Sequence, residues 1–174
     1  MGLIMRRFNI FLLSFMLCAC SLQAYAPQSI EVAFSPSSEA VELIERTIGH
    51  AAHSIDVAAY SFTSEKVANA LIAAHRRGID VRVLLDKGQD NHHYHAIGEM
   101  QEAGIPIRIN SHYAIMHNKY IIIDGKTVET GSFNYTTSAE RRNAENVIVI
   151  NDNRVLAKQY LENWQKLWNE ADTY

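Results

Sequence analysis

Cysteine is nearly missing from this chain. Its only two, Cys18 and Cys20, fall within the first two dozen of 174 residues, so neither a disulfide framework nor a cysteine-based metal site can organise the remainder. Membrane-spanning length is missing as well, because the apolar run from Ile10 to Leu17 falls well short of the roughly 20 residues a transmembrane helix needs. There is no excess of positive charge: 16 Lys and Arg stand against 19 Asp and Glu, a formal net charge of −3. A polyanionic partner would therefore have to be met by a local basic patch working against an unfavourable overall field. No internal repeat or low-complexity linker breaks the chain, and its length suits one domain with a real core.

What is present begins with Arg6 and Arg7 ahead of that apolar run and small residues after it at Ala19, Ala24 and Ala26. This is the order of a secretory signal. Ala24-Tyr25-Ala26 offers a cleavage site that makes residues 1–26 a signal peptide and residues 27–174 a single domain, periplasmic or secreted by a bacterium. Leu17-Cys18-Ala19-Cys20 offers the alternative, a lipoprotein-type signal with Cys20 lipidated and the protein tethered to a membrane. Removing residues 1–26 takes two basic residues and no acidic one, leaving 14 against 19 and a net charge of −5. The cations then available for a basic patch are Arg76, Arg77, Lys87, Arg108, Lys119, Lys126, Arg141 and Arg142.

Hydrophobic periodicity alternates between two kinds of segment. Ser29 to Phe34, Ser54 to Tyr60 and Asp80 to Leu85 read as strands, followed by shorter ones at Ile105 to Ile109, His117 to Ile123, Thr127 to Thr130 and Asn146 to Ile150. Ser35-Pro36 is expected to start a helix carrying Val41, Ile44 and Ile48 to Gly49. Ser64 is expected to cap a second helix, with Val67, Ala70, Leu71 and Ala74 on one face and Gly78 ending it. A weaker helix falls near 93–103, and the closing helix aligns Leu156, Tyr160, Trp164, Leu167 and Trp168, read as core packing. Such alternation predicts an α/β fold with a mixed, mostly parallel sheet flanked by helices on both faces. Asp124-Gly125 predicts a tight hairpin within it.

The stretch HNKYIIIDGKTVETGSFN, residues 117–134, places a histidine and a lysine two apart at the head of an apolar strand. Side chains two apart on a strand share a face, roughly 6 to 7 Å apart. Ser132 and Asn134 repeat that spacing after Gly131, where glycine permits close backbone approach. A lone histidine would read as a hydrogen-bonded core residue, and a lone lysine as one snorkelling to water. Together the four supply a nucleophilic imidazole, an ammonium, a hydroxyl and an amide, which suits a phosphate. Asp124 has the opposite strand parity from His117 and Lys119, which argues for a structural or supporting role.

His117-x-Lys119, Asp124, Gly131-Ser132-x-Asn134 resembles the HKD motif of the phospholipase D superfamily, and residues 29–168 resemble its small single-motif bacterial endonuclease branch, including Glu145-Asn146 after the motif. The resemblance implies a phospholipase D-like αβα sandwich and a catalytic set of His117, Lys119, Asp124 and Glu145. His117 would be the nucleophile that forms a phosphohistidine. Lys119, Ser132 and Asn134 would hold the phosphate, and Glu145 would orient the histidine through its other ring nitrogen. It implies no metal and no cofactor. Because the mechanism needs two histidines and the motif occurs once, it further implies a homodimer with the active site at the interface.

Asn91-His92-His93-Tyr94-His95 is a second histidine cluster, without an acidic or cysteine companion at a familiar metal-ligand spacing. A polar loop or helix start is the expected reading, with a metal site or a wall of the substrate groove as alternatives. His112 lies close before the motif, while His50, His53 and His75 have no motif around them. The expected activity is a metal-independent phosphodiesterase, a nonspecific endonuclease acting on DNA or RNA, since phosphate contacts alone carry no base recognition. A phospholipid substrate and a noncatalytic nucleic-acid-binding protein are the alternatives.

Overall fold

The computed structural model describes residues 29–89 and 95–174. Residues 1–26, expected to be a signal peptide, with both cysteines, and His92 and His93 lie outside the described residues. Eight strands form one sheet: β1 (Ile30–Ser35), β2 (Ser54–Ala59), β3 (Asp80–Asp86), β4 (Ile107–Asn110), β5 (Lys119–Ile123), β6 (Thr127–Gly131), β7 (Glu145–Ile150) and β8 (Asp172–Thr173). They lie in the order β1-β7-β6-β5-β2-β3-β4-β8. Among the described residues five α-helices accompany them: α1 (Ser38–Gly49), α2 (Glu65–Arg76), α3 (His95–Glu102), α4 (Thr137–Arg141) and α5 (Arg154–Asn169). No helix among the described residues is long and apolar enough to cross a membrane.

Strand alternation divides the core in two. Ile121 and Ile123 of β5 join Val41, Ile44, Leu71, Ile97 and Ala139 beneath α1 to α4, whereas Tyr120 and Ile122 join Trp164, Leu167 and Trp168 beneath α5. Helices thus cover both faces, and the sheet is mixed, as the periodicity led us to expect. Its balance is not mostly parallel, however. Only β2–β3 and β3–β4 pair in parallel, and the other five neighbouring pairs are antiparallel. The difference arises because β5, β6 and β7 follow one another as a meander, and because β1 returns from the start of the chain to pair with β7.

The start of α1 also departs from expectation. Ser35 belongs to β1, where its hydroxyl donates to the Asn143 carbonyl at 3.0 Å and accepts from the Glu145 amide at 3.2 Å. With that side chain committed to the neighbouring strand, Ser37 caps the helix instead, accepting from the Glu39 amide at 3.3 Å. Ser64 caps α2 as the sequence indicated. Asp124 and Gly125 both take positive φ, 52° and 58°, in the hairpin between β5 and β6, the left-handed pair that matches strand twist. On the other face the Trp164 indole donates to the Val57 carbonyl at 2.9 Å. Its ring lies 4.6 Å from the Arg82 guanidinium, which is also paired with Asp56 at 2.8 Å. These contacts seat α5 on β2 and β3.

Candidate active site

The site forms at the end of β5 where the chain enters the strand. Its approach is fixed by backbone contacts: the buried Asp86 carboxylate accepts from the Met116 amide at 2.6 Å, and the Tyr60 amide donates to the Asn118 carbonyl at 2.9 Å. His117 lies just ahead of β5 rather than inside it and is exposed. Lys119 opens the strand and is 9 % exposed. Its ammonium donates to the His117 carbonyl at 2.7 Å and stands 5.1 Å from the centre of the Tyr60 ring.

Both residues line an open pocket of ≈ 380 Å³ with Ser132, Thr130, Gly131, Asn118, Tyr120 and Tyr160. Gly131 is required by space. A Cβ there would sit 2.1 Å from the Asn146 carbonyl oxygen of the adjacent strand, so glycine lets β6 press against β7 and brings Ser132 to the rim. The Ser132 hydroxyl donates to Glu145 at 2.5 Å and accepts from the Asn146 amide at 3.1 Å. Glu145 also accepts from the Asn143 side-chain amide at 3.0 Å. Among the described residues, the hydrogen bonds of the Glu145 carboxylate therefore run to Ser132 and Asn143, and none reaches the imidazole of His117.

Asn134 lies in the irregular segment after β6, outside the pocket lining, with its side-chain oxygen buried and unpartnered among the described residues. Asp124 does not come to the site. It sits at the opposite end of β5, about 16 Å along the strand from Lys119. There its carboxylate accepts from the backbone amides of Ala52, His53 and Ser54 at 2.7 to 3.3 Å. Placing it among the catalytic residues is therefore corrected: strand parity and position both make it a clamp between the β5–β6 turn and the start of β2.

The electrostatics follow from these surroundings. Burial pushes the Lys119 ammonium below the ordinary lysine value, and the negative charge of Glu145 opposes that shift. Burial alone would raise the Asp124 carboxyl, but the three backbone amides and the nearby His53 outweigh it and hold the group below its usual value. On β6, Glu129 is fully buried and pushed up to about 8 despite the hydrogen bond it accepts from the Tyr135 hydroxyl at 2.7 Å.

Two groups at the site were not legible as such. Tyr160, assigned to core packing, packs edge-on against Tyr120 at 5.0 Å and also forms one wall of the pocket. Tyr60 packs against the His117 imidazole at 4.4 Å. Both come from elements remote in sequence, so only the strand order could bring them in. His112 packs on Tyr113 instead of entering the pocket, and His95 opens α3 with Glu99 3.5 Å away. Among the described residues no group of three or more His, Cys, Asp or Glu side chains is placed to hold a metal ion.

An open pocket that sets an exposed imidazole beside a desolvated ammonium and neutral hydrogen-bond donors, on a mixed sheet covered by helices, is the arrangement of an enzyme of phosphodiester bonds. The family model described as "Cardiolipin synthase, PLD-like domain" matches residues 44–168, and the chain belongs to the phospholipase D superfamily, whose hydrolases act on such bonds. It is 42% identical over 144 residues to a phospholipase D of Rickettsia prowazekii, covering 83% of this chain and 70% of that protein. It is 34% identical over 122 residues to a mitochondrial cardiolipin hydrolase of Xenopus tropicalis, covering 70% of this chain and 58% of that protein. Among solved structures, the phospholipase D family member Nuc from Salmonella typhimurium superposes with a TM-score of 0.82 at 40% identity. That match covers 85% of this chain and 99% of Nuc.

Proposed function

We propose that the protein is a metal-independent nuclease that cleaves the nucleic-acid backbone by way of a phosphohistidine. The observation that carries this reading is the sharing of one open pocket by His117, Lys119 and Ser132. A neutral imidazole nitrogen of His117 attacks phosphorus, a P–N bond forms and the P–O bond to the leaving nucleoside breaks. The leaving oxygen takes its proton from a second histidine. Water then attacks phosphorus and gives its proton to that second histidine, and the P–N bond breaks to restore His117. Lys119 supplies positive charge to the phosphate oxygens, so the scheme calls for no metal ion. Asn134 contributes amide donors, and Ser132 contributes its proton once Glu145 releases it.

The second histidine is the His117 of another copy in a two-fold dimer, the simplest way for a chain with one motif to supply both. Arg141 and Arg142 follow Asn134 on and just after α4, exposed and without ion-pair partners among the described residues, and in this reading they supply local positive charge to backbone phosphate. By contrast, several other cations of the sequence are already engaged, Arg108 with Trp168 and Lys126 with Asp152. Export through a signal at residues 1–26, or tethering through Cys20, remains part of the proposal. The names of the Rickettsia and Xenopus relatives favour a second reading, hydrolysis of a phospholipid by the same residues.

The test is to incubate protein from residue 27, and its His117→Ala variant, with supercoiled plasmid in excess chelator and, separately, with a fluorescent phospholipid. Nicking by the wild type alone supports the nuclease. Lipid turnover without nicking replaces it with the second reading, and silence on both substrates leaves a phosphate-binding protein. Light scattering of the active species as a monomer would remove the dimer.

A further inference from the structure

The imidazole of His117 makes no hydrogen bond among the described residues, and Glu145, the obvious carboxylate, is spent on Ser132 and Asn143. What packs against the ring is Tyr60. The tyrosine follows the last residue of β2, where Ala59 pairs with Lys119. Its amide extends that ladder by one more bond, to the Asn118 carbonyl at 2.9 Å. The aromatic ring is thereby anchored to the same backbone that carries both motif side chains. From there it touches the two of them, lying 4.4 Å from the His117 ring at an interplanar angle of 56° and 5.1 Å from the Lys119 ammonium. Its hydroxyl makes no hydrogen bond among the described residues.

Resting on the nuclease reading above, we propose that Tyr60 is a positioning residue whose aromatic ring, and not its hydroxyl, holds the attacking imidazole and the phosphate-binding ammonium in register with each other. The physical basis is twofold. A tilted aromatic contact restricts imidazole rotation without occupying either ring nitrogen, leaving one free to attack and the other free to hydrogen-bond. The negative face of the same ring favours the charged forms of Lys119 and of a phosphorylated imidazole, against the burial that disfavours charge at Lys119. A displaced nucleophile costs rate more than affinity, because the lost contribution is orientation.

The experiment compares wild type, Tyr60→Phe and Tyr60→Leu, all confirmed as folded by thermal melting, in steady-state cleavage of a fluorescent oligonucleotide across pH. Tyr60→Phe is expected to keep kcat within about twofold. Tyr60→Leu is expected to lower kcat by about 10- to 100-fold with a smaller change in KM, and to move the alkaline limb of the profile to lower pH as the ammonium loses its π partner. A leucine variant with wild-type kcat would overturn the proposal. So would a phenylalanine variant as impaired as leucine, since the hydroxyl would then be the acting group. A readout independent of substrate is the ring-current displacement of the His117 carbon-bound protons by NMR, expected in wild type and Tyr60→Phe and lost in Tyr60→Leu. Its absence in wild type would overturn the placement even if cleavage were seen. Its presence in a protein that cleaves no nucleic acid would keep the placement and sink only the nuclease reading.

Discussion

A charged side chain stands at each end of strand β5, Lys119 opening it and Asp124 in the turn just past it, and the two ends are built on opposite principles. At the turn end, Asp124 accepts from three backbone amides of one short segment, and those bonds outweigh the cost of burial and hold its carboxyl below the usual value. At the entry end, Lys119 is nearly buried yet spends one donor on a carbonyl and turns the rest of its ammonium to a tyrosine face and an open pocket. Burial lowers its proton affinity, and the negative charge of Glu145 works in the other direction. A saturated charge stabilises a fold, whereas an unsaturated, desolvated one is ready for a ligand that brings the missing oxygens. The same strand thus separates structure from chemistry by about 16 Å.

Substitutions at the two ends should therefore fail in different ways. The largest effect is expected from Lys119→Met, which should lower cleavage by about 10³-fold while the melting temperature holds or rises, since a buried cation has been removed. Loss of stability in parallel with activity would blur the contrast. Asp124→Ala should do the reverse: a loss of about 1–3 kcal/mol in denaturant unfolding, with kcat of the folded fraction within about threefold of wild type. Because the Asp124 carboxyl lies lower in the folded than in the unfolded chain, its contribution is present above the unfolded value and is lost as pH falls through the folded one. Wild type and Asp124→Ala should therefore converge in stability on acidification.

Glu129 supplies an intermediate case, a buried carboxyl with one hydrogen bond and a value of about 8. Here the sign is opposite. The unfolded chain releases this proton near the ordinary glutamate value and the folded chain holds it to about 8, so stability declines as pH rises across that window. Glu129→Gln should flatten the decline and melt higher than wild type at pH 8, with little difference at pH 5. The smallest effect is reserved for Glu145→Gln. Removing the one charge that supports the Lys119 proton should shift the alkaline limb of the pH–rate profile to lower pH, read from kcat/KM. A limb that stays in place would mean that Lys119 does not set it.

Much of this architecture could be read locally. The β5–β6 hairpin follows from Asp124-Gly125, the α2 cap from Ser64, and the close approach at Gly131 from the glycine itself just ahead of Ser132 and Asn134. The motif residues that meet in the pocket, His117, Lys119 and Ser132, lie within a short stretch whose spacing already aligned them. What escaped was non-local. The pairing of β1 with β7 joins segments more than a hundred residues apart and has no signature in either of them, which is why the sheet was expected to be more parallel than it is. Ser35 resembled a helix cap because its partners, Asn143 and Glu145, are more than a hundred residues away. Tyr160 read as a core aromatic and Tyr60 as the last residue of a strand, since nothing in their own neighbourhoods shows that β2 and α5 deliver them to the end of β5.

The central claim is that the unsaturated end of β5 performs covalent chemistry at His117, and the most direct measurement is to trap that bond. Wild-type protein should be mixed with an end-labelled oligonucleotide in chelator, quenched rapidly under mildly alkaline denaturing conditions that preserve P–N bonds, and mapped by mass spectrometry. The account requires an acid-labile nucleotide adduct on the peptide bearing His117, missing from His117→Ala. Turnover with an adduct on another residue, or turnover by the alanine variant itself, would contradict it.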